Sequence, residues 1–174
     1  MSSLYDGEYI TIDYGYNADG IRIFKDVYDD DTGDTTRHEY ILSGSQIIKE
    51  TVFVNNVESY TLVYLYDEAG APIGYRYRRP SYVNGGGSTA ARFNPFRYRG
   101  YYFDSETGFY CLQSRYYNPN WGRFISADDI AFLGANGELK GYNLYSYCGN
   151  SPINFSDSSG NFLCTAIGAI VGGL

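Results

Sequence analysis

The 174 residues predict an all-β fold: an amino-terminal meander of hairpins, then a region of short strands and turns, with little helix. Two observations carry this. The chain holds 21 Tyr against one Met and one Trp, and aromatic side chains suit the pleated, half-buried surface of a sheet. A phrase also recurs, in which an aromatic residue is followed by Asp or Asn and then by a short polar loop closed by Gly. The Asp or Asn side chain can bond to backbone two residues on, and Gly takes the positive-φ corner of a hairpin without a Cβ clash.

The phrase stands at Tyr16–Gly20, Tyr28-Asp29 (closing at Gly33), Tyr66–Gly70, Phe103-Asp104 (closing at Gly108) and Tyr117-Asn118 (closing at Gly122). A fixed phrase with variable spacing suits a stack of hairpins, each burying its face against its neighbours. Residues 1–80 accordingly read as a hairpin domain, with alternating strands over 8–79. Ile10, Ile12, Tyr14 and Tyr16 share one face, with Thr11 and Asp13 opposite; Tyr60, Leu62, Tyr64 and Tyr66 repeat the pattern. Ile73, Tyr75 and Tyr77 oppose Arg76 and Arg78. Turns at Ala18–Gly20, Asp31–Asp34, Ser43-Gly44, Asn55-Asn56 and Glu68–Gly70 separate the strands.

Residues 81–93, with Gly85-Gly86-Gly87-Ser88, are the best candidate linker. Residues 94–160 form a second region dense in aromatic pairs and turn residues, where Ala127–Leu133 suggests one short helical turn. Trp121 is expected to pack its turn onto the sheet. Residues 161–174 begin an apolar segment, but Phe162–Val171 falls short of the roughly 20 residues a membrane-spanning helix needs, so no span is predicted.

A formal charge of −7 gives no electrostatic footing for a phosphate backbone, and nucleic acid is not an expected partner. The arginines at Arg76–Arg79 and Arg92–Arg99 interleave with aromatics and are expected to stack on rings. Cys111, Cys148 and Cys164 are odd in number without CxxC spacing, which builds neither a zinc site nor a disulfide framework. His38 is the sole histidine, which removes His-based triads and multi-His metal sites. Asp29–Asp34 lacks the distal bidentate Glu of a calcium loop and reads as a solvated hairpin turn. No cofactor and no metal are indicated. The amino terminus carries neither a basic nor an apolar leader region, so no signal peptide is expected.

Asn94–Gly108, Ser114–Pro119, Gly122–Ser126 and Asn143–Asn154, with the trailing Asp157 and Gly160, resemble the core region of bacterial Rhs, or YD-repeat, proteins. The first half resembles the YD repeats themselves more loosely. The resemblance implies a β-sheet spiralling into a hollow shell, a core that plugs one end, and a variable carboxy-terminal toxin after it. It also implies as partners the remainder of that shell, its toxin and an immunity protein, with delivery by a dedicated secretion or cell-surface system.

In some relatives the core cleaves itself, and the matching positions here are Asp128 and Asp157. One carboxylate would act as base on water while the other protonates the carbonyl. The broken bond would be Asn161–Phe162. Where the family has Pro after each aspartate this chain has Asp129 and Ser158, and Asn161 stands where the family has Leu. The residues alone leave open that both aspartates cap turns through side-chain-to-backbone bonds. Three readings follow: a structural segment of shell and core, a single-turnover aspartic autoprotease, and a surface module that binds carbohydrate or protein.

Overall fold

The computed structural model describes residues 2–5, 8–80, 93–134, 142–157, 159–161 and 165–166. The chain divides into two compact units, Met1–Asn94 and Pro95–Leu174.

The first unit is a seven-stranded antiparallel meander in chain order: β1 (Ser2–Tyr5), β2 (Glu8–Tyr16), β3 (Arg22–Asp29), β4 (Thr35–Ser43), β5 (Gln46–Val54), β6 (Val57–Tyr66) and β7 (Pro72–Arg78). The recurring phrase supplies its corners. Asn17 Oδ1 accepts from the backbone N–H of Asp19 (3.1 Å) and Ile21 (2.8 Å), and the Gly20 N–H closes on the Asn17 carbonyl at 3.0 Å. Asp67 repeats this with the N–H groups of Ala71 and Gly70. Asp29, Asp104 and Asn118 close a loop one residue longer, their carbonyls accepting from Gly33, Gly108 and Gly122. All five closing glycines sit at positive φ, between +66° and +81°, so one phrase encodes two turn lengths.

The two shorter corners share a bulge. Gly15 faces Phe24 while Tyr16 faces Arg22, and Leu65 faces Gly74 while Tyr66 faces Pro72. Ile23 and Ile73 are thus the extra residues of β3 and β7. This corrects the simple alternation drawn from sequence: Ile73 is 67% exposed rather than aligned inward with Tyr75 and Tyr77, because a bulged residue leaves the ladder. Tyr16, beside the first bulge, is likewise half-exposed.

One face of the sheet buries Ile12, Tyr40, Val52, Leu62 and Tyr64 together with Arg22, Lys25, His38 and Glu50. Cross-strand pairing lines up Tyr14, Lys25, His38, Val52 and Tyr60 across five strands. The buried charges have partners. His38 Nδ1 lies 2.6 Å from Glu50, and the Tyr64 hydroxyl donates to the other Glu50 oxygen. Burial, reinforced by that carboxylate, pushes the Tyr64 hydroxyl far above its ordinary pKa. The Arg22 guanidinium stands 5.5 and 5.1 Å from the Tyr14 and Tyr40 ring centres. Phe93, at the end of the expected linker, packs on Tyr60 and Tyr77. Residues 81–92 lie outside the described residues.

The second unit holds a four-stranded antiparallel sheet, β8 (Tyr102–Asp104), β9 (Phe109–Leu112), β10 (Arg115–Asn118) and β11 (Arg123–Phe124), and a two-stranded pair, β12 (Phe155–Ser156) with β13 (Thr165–Ala166). Its core is Tyr101, Leu112, Phe124, Tyr147 and Cys148, with the Tyr101 and Tyr147 hydroxyls bonded at 2.9 Å. The expected arginine–aromatic stacking occurs for Arg97 over Phe103 (4.1 Å) and Arg99 over Tyr98 (5.1 Å), whereas Arg78 of the first unit pairs with Glu58.

The described residues contain 3-10 turns and no α-helix. The turn expected at Ala127–Leu133 narrows to Ile130–Phe132, which Asp129 caps by accepting from the Ala131 N–H at 2.9 Å. Trp121 departs from expectation, being 66% exposed. Asn118 Oδ1 already holds that turn through the N–H groups of Asn120 and Trp121, so the indole has no docking task and points outward. Cys111 and Cys148 form no disulfide, and Cys164 lies outside the described residues.

Candidate functional site

Arg115 opens β10 on an inward-facing position, shared along the strand with Tyr117. Its guanidinium stands over the Phe124 ring, 3.7 Å from the ring centre, with a side chain only 6% exposed. A cation so placed must be satisfied by fixed acceptors. Nη1 donates to the Leu144 carbonyl at 3.0 Å, Nε donates to the Gly160 carbonyl, and Nη2 meets Asp128 at 2.8 Å. The same Nη2 stands 3.9 Å from Asp157 Oδ2. The two aspartates singled out from sequence therefore meet around one guanidinium.

The two carboxylates sit in unlike settings. Asp128 follows β11, is fixed by its N–H on the Leu144 carbonyl (3.0 Å), and accepts from the Asp129 N–H at 2.8 Å. Asp157 is wholly buried at the head of the terminal turn. Its Oδ1 gathers the N–H groups of Ser159, Gly160 and Asn161 at 3.2, 2.8 and 3.2 Å, and its own N–H donates to the Tyr101 hydroxyl at 3.1 Å. Its Oδ2 is buried with no hydrogen-bond partner. Burial pushes the Asp157 carboxyl above the usual carboxylate range; the turn's N–H groups and the Arg115 cation pull the other way, and burial wins.

Asp157 thus does cap a turn, and it also faces a cation and a second acid. No hydrogen bond joins the two carboxylates directly among the described residues; the guanidinium stands by both. Asn161 is exposed at the end of the turn, its Oδ1 accepting from Ser114 Oγ at 3.3 Å, while Phe162 lies outside the described residues. Gly160 wedges the turn against the β9–β10 corner: a Cβ there would collide with the Leu112 carbonyl and come within 2.9 Å of Ser114 Oγ and 3.1 Å of the Arg115 nitrogen. The sequence reading missed Arg115, although its place in phase with Tyr117 on a strand was a usable signal. Among the described residues no cluster of His, Cys, Asp or Glu is arranged to hold a metal.

No family model matches the chain. It is 30% identical, over 90% of its length, to the tRNA3(Ser)-specific nuclease WapA of Bacillus spizizenii, of which it spans 8%. It is 43% identical over 42% of its length to double-stranded DNA deaminase toxin A of Burkholderia cenocepacia, of which it spans 5%. Among solved structures, TcdB2–TccC3 shares the fold over 91% of this chain and 10% of that one, with a TM-score of 0.64 at 18% identity. The chain thus corresponds to a small part of much longer proteins. Kinship with these toxin proteins, joined to an antiparallel fold shared with TcdB2–TccC3, makes the chain a member of the Rhs-type polymorphic-toxin family.

Proposed function

We propose that this chain is a wall-and-core segment of an Rhs-type protein that encloses and delivers a toxin. Its first unit would contribute hairpins to a curved wall, and its second the core that fixes the exit point of the chain. The reading rests on family kinship and on one observation: the terminal turn is sewn into the second unit by Arg115, Asp157 and Gly160. A segment that follows Asn161 would leave from an anchored point rather than from a loose tail. Its partners would be the remaining wall, the toxin and an immunity protein. Limited proteolysis of the full-length gene product tests this. Arg115→Ala should expose the segment after Asn161 to cleavage that the wild type resists; equal sensitivity contradicts the reading.

A second reading, single-turnover self-cleavage at Asn161–Phe162, draws support from the unlike settings of the two aspartates. Asp157, raised by burial, would hold a proton to donate, while Asp128 beside Arg115 would serve as base on water. Arg115 would steady both. Intact-mass measurement decides: a species ending at Asn161 that vanishes in Asp128→Asn and Asp157→Asn supports cleavage, and an uncut wild type removes it.

A further inference from the structure

A second surface, on the β10–β11 corner, has no part in either reading. Trp121, Arg123, Phe124, Ile125 and Tyr145 line a shallow open cleft. Phe124 is buried there, while Trp121 is 66% exposed and Tyr145 45% exposed. Exposed aromatic faces beside an open cleft are available to stack on a ligand. The turns that carry them are held by local bonds. Asn118 fixes the Trp121 turn, Asn143 Oδ1 accepts from the Tyr145 N–H at 3.1 Å, and an Arg123–Ser146 bridge ties the two turns together. Arg123 lines the same cleft, and its guanidinium makes no hydrogen bond or ion pair among the described residues, so the cleft offers one unspent cation.

The backbone decides which class of ligand fits. The Phe124 N–H is bonded to the Tyr145 carbonyl and the Ile125 N–H to the Tyr116 carbonyl. These two N–H groups are therefore not left to pair with an extended peptide, the usual way a segment adds to a sheet. Recognition must then come from the two exposed rings and one guanidinium. A chain of net charge −7 also repels polyanions. A ring with an apolar face and a single carboxylate meets each condition, since guanidinium and carboxylate pair through two parallel bonds.

We infer that this cleft binds a neutral glycan capped by one carboxylated sugar, the ring stacking between Trp121 and Tyr145 and the carboxylate on Arg123. The inference is independent of the wall-and-core reading and of self-cleavage. Trp121 is the only tryptophan, so its fluorescence reports on this site alone. Titration of the full chain with sialyllactose should give a saturable change in emission, and lactose of the same neutral core should give at least about tenfold weaker binding. Arg123→Gln, which keeps the indole, should abolish the preference for sialyllactose at an unchanged urea midpoint. Tyr145→Ala should weaken binding of both sugars. The inference fails if sialyllactose leaves emission unchanged, if lactose binds as well, if Arg123→Gln retains the preference, or if a mononucleotide or an acidic peptide binds more tightly.

Discussion

Gly160→Ala is the sharpest test of how the terminal turn is held. Gly160 adopts φ +73°, where an alanine costs about 1–2 kcal/mol from its own Cβ. Steric contact costs more, because the new Cβ would strike the Leu112 carbonyl, a backbone atom that cannot swing aside. Relief requires the turn to lift from the β9–β10 corner. That breaks the Arg115 Nε bond to the Gly160 carbonyl and lengthens the Gly160 N–H bond to Asp157, at roughly 1.5–3 kcal/mol for each bond to a charged group. With the φ cost included, the expected loss in the second unit is about 4–8 kcal/mol. Gly108→Ala and Gly122→Ala are matched controls: both glycines have positive φ, but a Cβ on either meets nothing within 4 Å, so each should lose only about 1–2 kcal/mol. Hydrogen exchange of the Phe109–Asn118 hairpin, read with urea titration by circular dichroism, separates the cases. A Gly160→Ala protein within about 1 kcal/mol of its controls would refute the wedge.

Three further outcomes follow from the same structure. Gly15→Ala drives a Cβ into the Phe24 ring and should lower the urea midpoint by an amount worth about 1–3 kcal/mol, whereas Gly74→Ala, with open space around it, should lose nothing. Tyr64→Phe removes the hydroxyl that donates to the buried Glu50 and should cost about 1–3 kcal/mol in the first unit by the same titration. The third concerns pH. Because the folded-state pKa of Asp157 is raised, its contribution to stability is fully present at pH values below the usual carboxylate range and is lost as pH rises through the raised value. Wild type should therefore gain on Asp157→Asn as pH falls from about 7 to about 4. An unchanged difference between the two pH values would contradict the burial of that carboxyl.

The hairpin meander was legible because its corners are chemical: Asn17, Asp29, Asp67 and Asn118 each accept from backbone within their own turn, a local interaction that sequence carries whole. The bulges at Ile23 and Ile73 were not, since an extra residue in a strand is visible only against its partner's register. Asp128 and Asp157 were found through resemblance, and their meeting around one cation depends on a contact between residues far apart in sequence. Arg115 lies outside the two arginine clusters, Arg76–Arg79 and Arg92–Arg99, that sequence marks for ring stacking. It does stack, on Phe124, but the edge of the same plane binds two acids and two carbonyls. Trp121 was misread because a tryptophan in a turn suggests packing, and only the bonds made by Asn118 show that the turn needs none.

Both readings of the terminal turn depend on Arg115 clamping it, and its side chain can report this directly. In nitrogen-15 spectra of the intact chain, the Arg115 Nε–H should give a resolved signal that exchanges slowly with water and disappears from that position in Gly160→Ala. An Arg115 signal exchanging as fast as those of solvent-exposed arginines would mean that the turn is not docked, and the clamp would have to be abandoned.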